Sequence, residues 1–598
     1  MTTRLLIVGL DGATLDLIEP WARAGYLPNL AALIEQGSAG RLRSTLPAMT
    51  LPAWSTFLTG CNPGRHGLFD FTRHTPGRYA IQFVNATHRR EPTFLRRLSD
   101  AGLRVAALGI PTTYPPEPLN GVVIAGFDSP VTTSRDASFV YPRELYDELH
   151  STTGDFPLTD LQEVRIGPGW HRHALEKLTQ AIDGQTRVAR CLLDREGWDC
   201  FAIVFGASDT VAHHFWCFHD PRSPRFDAAG AAEFGDAIRL IYQRLDCAVG
   251  ELRRAAGPDA DIFIISDHGF GGTSDQAISI NRYLNQAGLF TFKTQPGASS
   301  CAANLLKQAG LRLLPAGAQQ LIFRRLGGLV DALESGARFG HIDWSRSLAY
   351  SEELNYFPSV WINLRGREPG GIVDPCDYEG VRDRVIDALH QWVHEETGQP
   401  IVQRAHRRED VYSGLMLYDA PDVIIELALS CGSCGSRLQT TTQSASVPSE
   451  VRRGSSRDAS YSYASYSYAV ETARTPGPSI RRLDSSEFIG AKGRSMNGSH
   501  RPDGVLIAAG PSIRPGRRID NAGLVDLAPT LLNLLGLPAV DMDGRILSEL
   551  LIDPVSGIFN HHARATSRLT WTPQPELTYS HADAALLAGR LRSLGYLE

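Results

Sequence analysis

The feature that most constrains the fold of this chain is a series of short apolar runs, each followed by helix-like sequence. The runs are rich in β-branched residues and end in Gly, Asp or Ser, as is typical of parallel strands buried on both faces. Helix-like segments such as 231–254 and 524–535 alternate with them, which predicts an α/β sheet with helices on both faces. Ligands bind such sheets at the carboxyl ends of the strands. The runs are Leu5–Leu10, 104–110, 201–205, Asp261–Ile265, Val423–Leu427 and 505–509.

At 598 residues the chain is long enough for a large core with insertions or for several domains. Two segments interrupt the strand rhythm, and we predict that they are cap-like insertions over the site. A third is rich in Ser, Thr, Arg and Gly, contains a Ser/Tyr tandem at 460–469, and is predicted to be a mobile loop. The predicted divisions are a catalytic core at 1–131, 191–297 and 497–555, cap-like insertions at 132–190 and 298–346, a core-associated α/β segment at 347–429, the low-complexity loop at 430–496 and a C-terminal tail at 556–598.

Charge and cysteine content argue against several partners and locations. The net charge of −6 gives no reason to expect binding to nucleic acid or to an anionic membrane. The first apolar run is too short for a signal-peptide core, and no run has transmembrane length. Nine scattered cysteines, an odd number, suit a reducing compartment better than a disulfide framework. We therefore predict a cytoplasmic protein without nucleic-acid or membrane partners. The sequence does not indicate its oligomeric state.

Two polar residues lie where a ligand could reach them. Asp11 directly follows the first predicted strand and precedes Gly12, so its carboxylate could either bind a metal ion or cap the next helix. Thr50 is predicted to be the N-cap of a helix with Pro52 in its first turn. The same position offers a hydroxyl where backbone N–H groups and the helix dipole attract a phosphate oxygen. A threonine hydroxyl becomes a good nucleophile only when a base or a metal ion activates it.

Two Asp/His pairs and one further histidine could bind that metal ion. Asp209 and His213 are four residues apart, so both project from one face if a helix begins there. Asp267 and His268 follow a predicted strand at a turn, where adjacent side chains can converge on one ion. His500 precedes another predicted strand. Each feature alone is as consistent with a turn or a helix surface, but together they predict a metal cluster.

Other candidates rank lower. His214 shares a predicted helix with a candidate ligand but not its face, and His66 and His219 lack an acidic partner at a useful spacing. Cys431 and Cys434 have the spacing of a zinc or redox pair, but the chain has no second pair to complete a structural site. We therefore rank His500 above the other three histidines as a metal ligand and treat the cysteine pair as a weak candidate.

Taken in chain order, these segments resemble the alkaline phosphatase superfamily, and within it the type I phosphodiesterase and nucleotide pyrophosphatase branch with its bacterial phosphohydrolase or phosphomutase relatives. The order and spacing match over most of the chain, and the closing residues 590–598 also resemble the bacterial group. The resemblance implies an alkaline-phosphatase-like core, with a mostly parallel sheet, helices on both faces and cap insertions. It rests on Gly9-Leu10-Asp11-Gly12, on the Thr50 helix ending in Thr59-Gly60-x-x-Pro63-x-x-His66-Gly67, on Asp209-x-x-x-His213, on Ser266-Asp267-His268-Gly269 and on Gly498-Ser499-His500.

The resemblance also implies a site with two divalent metal ions. Zinc is the implied ion, and manganese would also accept a set of carboxylate and imidazole ligands. Thr50 would be the nucleophile and would form a phosphothreonine intermediate. The implied activity is hydrolysis of a phosphodiester or phosphomonoester of a small organic substrate. One ion would be held by Asp11, Thr50, Asp267 and His268, and the other by Asp209, His213 and His500.

Three positions depart from related patterns. Residues 61–65 match the Cys-x-Pro-x-Arg pattern of sulfatases, but in sulfatases the nucleophile lies nine residues before a Thr-Gly pair, and that position here is Thr50. Trp54 also stands where the sulfatase pattern has Arg, so we predict that Cys61 is not the nucleophile and that sulfate esters are not the main substrate. Ala53 stands where the nucleotide pyrophosphatase pattern has an Asn that holds a phosphoryl oxygen. The missing amide weakens the prediction of nucleotide pyrophosphatase specificity.

Two other functions remain open from the sequence. A phosphomutase would use the same phospho-enzyme and return the phosphoryl group to the substrate, which requires a closed cap that excludes water. A metal-stabilised binding protein would keep the Asp and His ligands but would not need Thr50.

Overall fold

The computed structural model describes residues 3–130, 137–158, 166–293, 339–353, 357–431, 465–488, 496–554, 575–580, 583–584 and 586–588. Residues 298–338 of the predicted cap-like insertion at 298–346 therefore lie outside the described residues. Residues 432–464 and 489–495 of the predicted loop at 430–496 also lie outside them. Among the helices of the described chain, none combines the length and the apolar character needed to cross a membrane.

The described residues form twenty strands. In chain order they are β1 (Leu5–Leu10), β2 (Ser38–Arg43), β3 (Thr72–His74), β4 (Ile81–Phe83), β5 (Val105–Ile110), β6 (Gly121–Ala125), β7 (Val140–Tyr141), β8 (Cys200–Phe205), β9 (Asp261–Ile265), β10 (Gly269–Ile278), β11 (Ala349–Tyr350), β12 (Ser359–Ile362), β13 (Val402–Arg407), β14 (Val423–Leu427), β15 (Leu429–Cys431), β16 (Ser465–Val470), β17 (Ile480–Arg482), β18 (Gly498–Arg501), β19 (Asp503–Ala509) and β20 (Arg517–Gly523).

The same residues form fourteen α-helices. They are α1 (Leu15–Arg23), α2 (Pro28–Gln36), α3 (Thr50–Thr59), α4 (Pro63–His66), α5 (Phe94–Asp100), α6 (Leu145–Thr153), α7 (Trp170–Arg195), α8 (Ala207–His219), α9 (Ala228–Phe234), α10 (Ala237–Ala256), α11 (Ile280–Gln286), α12 (Tyr378–Gln391), α13 (Arg408–Val411) and α14 (Leu527–Leu534).

A nine-stranded sheet in the order β20-β2-β19-β9-β1-β8-β5-β6-β7 forms the centre of the molecule. The five strands from β9 to β6 are mutually parallel, whereas β19 and β7 run antiparallel to their neighbours. Because β1 lies between β8 and β9, the carboxyl ends of these three strands meet at one edge. The chain segments that follow them carry most of the candidate site.

Alternating side chains of the central strands belong to two hydrophobic clusters, one on each face of the sheet. Leu6, Val8 and Leu10 of β1 pack with apolar residues of α1, α2, α7, α8 and α10. Leu5 and Ile7 pack with apolar residues of α3, α5 and α14 on the other face. Strands buried on both faces must be apolar throughout, which is why these runs were recognisable in the sequence.

Three smaller sheets complete the described fold, one of which is the antiparallel pair of β3 and β4. Of the other two, one pairs β15, β16, β10 and β17, with β18 also paired to β10, and the other has the order β11-β12-β14-β13. In the antiparallel pair of β10 and β18, Phe270 lies opposite His500. Since β10 begins directly after His268, this pairing brings the distant residue His500 to the edge of the main sheet.

The prediction of a mostly parallel sheet with helices on both faces is confirmed, and some details were wrong. Val423–Leu427 is a strand, but it lies in the antiparallel four-stranded sheet. The predicted helix at 231–254 is two helices, α9 and α10, with Gly235 and Asp236 between them. Residues 465–470, placed in a loop from their composition, form β16, because Tyr466 and Tyr468 alternate with Ser and are buried. Alternation of this kind is itself a strand signal.

Candidate active site

The sheet positions four candidate ligands at one edge. Asp11 follows β1 directly, and Asp267 and His268 follow β9, which pairs with β1. Asp209 lies in the first turn of α8, where the helix dipole favours a carboxylate. Gly12 has φ of +66°, and a Cβ there would lie 3.1 Å from Asp209 Cα, so glycine allows the two segments to approach closely. Its N–H donates to Asp267 Oδ1 at 3.2 Å and ties the β1 and β9 ends together.

The three candidate histidines share one orientation. Each donates its Nδ1–H to a backbone carbonyl oxygen, at 2.9 Å for His213, 3.1 Å for His268 and 2.9 Å for His500. Such bonds fix the tautomer, so that each Nε2 presents a lone pair to the centre of the cluster. The acceptors are the carbonyls of Gly498, Gly269 and Ala48 respectively.

The first group of ligand atoms is formed by Asp209, His213 and His500. Asp209 Oδ1 lies 3.3 Å from the Nε2 atoms of both His213 and His500, and these two nitrogens are 3.1 Å apart. Two nitrogens that both present lone pairs cannot form a hydrogen bond with each other. Four ligands at about 2.0 Å in a tetrahedron around one zinc ion would themselves be about 3.3 Å apart. The spacing and the chemistry of these atoms therefore fit one bound cation.

The second group surrounds His268. Its Nε2 lies 3.5 Å from Asp11 Oδ1, 3.3 Å from Asp267 Oδ2 and 4.0 Å from Asp209 Oδ1, so Asp209 belongs to both groups. Asp11 Oδ1 and Asp267 Oδ2 are buried, and no N–H or hydroxyl group of a described residue donates to them. Buried acceptors are almost always satisfied in folded proteins, so these two atoms fit a cation that the protein would hold there.

Thr50 lies beside the second group as the first residue of α3. Met49 is the N-cap, so the prediction that Thr50 caps the helix was wrong by one residue. The Thr50 side chain is fully buried, and its hydroxyl oxygen lies 3.4 Å from His268 Nε2. The hydroxyl is thus close to the proposed metal ligands and to the N-terminus of a helix, which attracts anions.

The electrostatics of the cluster reflect three carboxyl groups in a buried space. Burial, followed by the charges of Asp267 and Asp209, raises the pKa of Asp11 well above its ordinary value. Burial, together with the charge of Asp209, raises the pKa of Asp267 in the same way. For Asp209 burial acts against ionisation, but the positive charge that His213 and then His500 carry when protonated outweighs it and holds the pKa of Asp209 well below its ordinary value. Burial lowers the pKa of His268, which keeps this imidazole neutral.

Trp54 contributes to this site in a way that the sequence did not indicate. It is fully buried one turn after Thr50, and its indole N–H donates to Asp11 Oδ2 at 3.1 Å. The ring packs so closely on β1 that a Cβ at Gly9 would lie 2.6 Å from it. Trp54 therefore connects α3 to the carboxylate of Asp11 and orients that carboxylate.

We expect Trp54→Phe to weaken divalent-metal binding by about 10-fold, because partners that orient a ligand typically contribute 10- to 100-fold to metal affinity. Competition with a fluorescent chelator measures the affinity. Trp198→Phe is the matched control, since Trp198 is equally buried but donates to the Leu192 carbonyl away from the cluster. Equal metal affinity in the two variants would contradict the role of Trp54.

His66 has a structural place near this helix. Leu68 N–H donates to His66 Nδ1 at 3.2 Å, so Nε2 carries the proton and donates to Thr56 Oγ1 at 3.0 Å. The imidazole is fully buried, and burial, followed by the charge of Arg89, lowers the pKa of His66 to about 3. His66 thus joins the turn after α4 to the middle of α3 as a neutral residue.

We expect His66→Gln to lower the free energy of unfolding at pH 7.5 by about 2 kcal/mol, through two lost hydrogen bonds. Because the folded pKa of His66 lies below the ordinary value, the unfolded chain binds the extra proton in acid. The stability that neutral His66 contributes is thus present above pH 6.5 and is lost as the pH falls below it. Between pH 7.5 and 5.5 the wild type should lose about 1.4 kcal/mol more than the variant. Urea unfolding at both pH values measures this difference, and equal losses would contradict the assignment.

The lower-ranked candidates lie away from the cluster. Cys61 follows the far end of α3, about 15 Å along the helix axis from Thr50. Its thiol is buried, and burial raises the pKa of Cys61 to about 12, so it is a poor nucleophile. Ala53 is buried in the hydrophobic cluster beneath α3. The ring of His214 contacts Trp170, on a different face of α8 from His213.

The comparison with family models identifies one family. Residues 5–444 match the family model described as type I phosphodiesterase / nucleotide pyrophosphatase. No curated protein matches the chain. Among solved structures, human ectonucleotide pyrophosphatase/phosphodiesterase 5 is 13% identical, with 92% of this chain and 100% of that chain covered and a TM-score of 0.45. Phosphonoacetate hydrolase from Sinorhizobium meliloti 1021, in complex with phosphonoformate, is 13% identical, with 90% and 95% covered and a TM-score of 0.48.

Proposed function

Because the chain belongs to the type I phosphodiesterase/nucleotide pyrophosphatase family, we propose that it hydrolyses phosphate esters of small organic molecules through a phosphothreonine at Thr50. As a member of this family the chain is a phosphoric ester hydrolase; the threonine intermediate and the metal ions are our proposal. The observation that carries it is the buried Thr50 hydroxyl, which lies at the N-terminus of α3 and 3.4 Å from His268 Nε2.

We propose that the two groups of ligand atoms hold two divalent ions, zinc first and manganese as the alternative. When bound, the ions would supply Lewis-acid activation and neutralise negative charge on the phosphoryl group. One would be held by Asp11, Thr50, Asp267 and His268, and the other by Asp209, His213 and His500.

The chain's own residues then account for the two steps. The Thr50 oxygen forms a bond to phosphorus and loses its proton to solvent. The bond from phosphorus to the ester oxygen breaks, and that oxygen takes a proton from solvent and leaves as the alcohol. The positive end of the α3 dipole lies at Thr50 and would favour the phosphoryl oxygens that Thr50 acquires. Water then attacks the phosphothreonine, the phosphate product leaves, and the Thr50 hydroxyl regains a proton.

A cytoplasmic location is part of the proposal. Six cysteines of the described chain are free thiols, and three of them, Cys61, Cys200 and Cys217, are buried in the fold. Free thiols fit a reducing compartment better than an oxidising one.

A panel of chromogenic esters tests the proposed function. The protein is freed of metal, reconstituted with Zn²⁺ or Mn²⁺, and assayed on bis-p-nitrophenyl phosphate, p-nitrophenyl phosphate and p-nitrophenyl sulfate. We expect turnover of a phosphate ester and little turnover of the sulfate. Preference for the sulfate would contradict the proposal, and so would turnover that is indifferent to the metal ion.

A further inference from the structure

A pocket lies next to the start of α3 and is lined by neighbours of the candidate active site rather than by its seven residues. Met49, which directly precedes Thr50, lines it, and so does Phe357, whose ring centre lies 6.0 Å from that of His500. An organic group attached to a phosphorus atom at Thr50 would extend into this space. We refer to it as the ester pocket.

The charged side chains of the ester pocket are predominantly acidic. Four carboxyl groups line it, against two cationic side chains, Arg73 and His74. His74 forms an ion pair with Glu352, so this pair contributes little net charge. Burial lowers the pKa of His88, a further lining residue, to about 4 and keeps it neutral. Arg73 is therefore the one lining cation in the described part of the pocket that no lining carboxylate neutralises. The four carboxyl groups are those of Asp70, Glu352, Glu353 and Asp419. Burial raises the pKa of Glu353 to about 7, so Glu353 is only partly ionised at neutral pH, and Asp70 and Asp419 supply most of the net negative charge.

A carboxylate from the C-terminal region neutralises Arg73. Glu576 forms ion pairs with Arg73 and with Arg90, although it lies about 500 residues later in the chain, at separations of 503 and 486 residues. The charge and hydrogen bonds of Arg73, followed by those of Arg90, lower the pKa of Glu576 to about 2 against the opposing effect of partial burial. Glu576 is thus ionised at neutral pH.

The segment that carries Glu576 is anchored to the same wall. Leu577 N–H donates to Thr87 Oγ1, and its carbonyl accepts from Asn85 Nδ2, both at 2.8 Å. Farther along, Leu587 and Ala588 are buried in a hydrophobic cluster with Met49 and other residues around α3. These contacts anchor the segment that carries Glu576.

From this arrangement we infer that Glu576 determines the charge specificity of the ester pocket. By neutralising Arg73 and Arg90 it leaves a pocket that accepts an uncharged or cationic organic group and disfavours a second anionic group on the substrate. The inference rests on the proposed function, because it assigns the pocket to the organic group of a phosphodiester cleaved at Thr50. The aromatic lining residues Phe69, Trp361 and Tyr412 provide apolar surface against which an uncharged organic group or the methyl groups of a quaternary ammonium can pack.

Three p-nitrophenyl phosphodiesters of similar size test the inference. Their second ester groups are 2-(trimethylammonio)ethyl, 3,3-dimethylbutyl and 3-carboxypropyl, which differ mainly in charge. For the wild type we expect kcat/KM for the cationic and neutral esters to exceed that for the anionic ester by roughly tenfold, the effect of one partly screened charge. In Glu576→Gln this ratio should fall by about fivefold, because Arg73 and Arg90 then attract the carboxylate. Glu576→Asp should restore most of the ratio.

Glu549→Gln is the matched control, because Glu549 forms an ion pair with Arg545 on the surface and does not line the pocket. Its ratio should equal that of the wild type. Equal or better turnover of the anionic ester by the wild type would overturn the pocket's charge preference, even if Glu576→Gln did not fold. An unchanged ratio in a folded Glu576→Gln would overturn the role of Glu576. If none of the three esters released p-nitrophenol, the proposed function itself would fail.

Discussion

Replacing Thr50 with alanine is expected to lower kcat for bis-p-nitrophenyl phosphate by on the order of 10³-fold or more, with little loss of stability. The hydroxyl is the proposed nucleophile, and removing a nucleophile eliminates the covalent route entirely. Its closest described polar contact is the 3.4 Å approach to His268 Nε2, which is too long to contribute much to folding. Steady-state kinetics with matched metal loading, together with a thermal melt, measure both effects.

Two further variants serve as controls for Thr50→Ala. Thr50→Ser retains a hydroxyl and should keep measurable turnover. Thr59→Ala removes a buried hydroxyl at the other end of α3, which bonds to the Ser55 carbonyl, and should leave kcat within a few-fold of the wild type. Loss of activity in Thr59→Ala as large as in Thr50→Ala would show that any disturbance of α3 is inactivating and would remove the support for a nucleophile.

Removal of the metal ions is expected to abolish activity and to destabilise the protein. Asp11, Asp209 and Asp267 converge in a buried space, and buried charges of one sign need a cation nearby. At a free metal concentration about 1,000 times Kd, binding to the folded state alone adds about 4 kcal/mol to the free energy of unfolding. Urea unfolding with and without a chelator measures this gain.

Asp267→Asn should reduce the stability that metal binding adds without destabilising the metal-free protein. Its Oδ1 can still accept the Gly12 N–H, and the lost charge relieves repulsion with Asp11, so the metal-free variant should be at least as stable as the metal-free wild type. With metal it should gain much less stability. Asp246→Asn is the control, because buried Asp246 accepts hydrogen bonds from the N-terminus of α2, and its loss should cost stability equally in both conditions. An equal metal-dependent gain in Asp267→Asn and wild type would contradict the proposed ligand.

The sequence predicted the central sheet because its parallel strands are buried on both faces, so β1, β5, β8 and β9 are continuous apolar runs. It predicted Asp11 and the Asp267-His268 pair because a polar residue directly after such a strand is a local signal. The structure brings all seven predicted residues together, and their roles as nucleophile and ligands remain predictions.

What the sequence could not predict depends on contacts between distant segments. His500 reaches the cluster through the pairing of β18 with β10, and no local pattern specifies that register. In the sequence, Trp54 could not be distinguished from an ordinary apolar residue of a buried helix, although its indole N–H donates to Asp11 Oδ2. Glu576 lies in a segment with no strand or helix pattern, and only its ion pairs with Arg73 and Arg90 connect it to the site.

The stereochemical course at phosphorus tests the central claim most directly. A phosphodiester made chiral by one sulfur atom is hydrolysed in oxygen-18 water, and the configuration of the product is determined by NMR. Two successive in-line displacements, first by Thr50 and then by water, predict net retention of configuration. Net inversion would mean that water attacks the substrate directly, and it would contradict a phosphothreonine intermediate at Thr50.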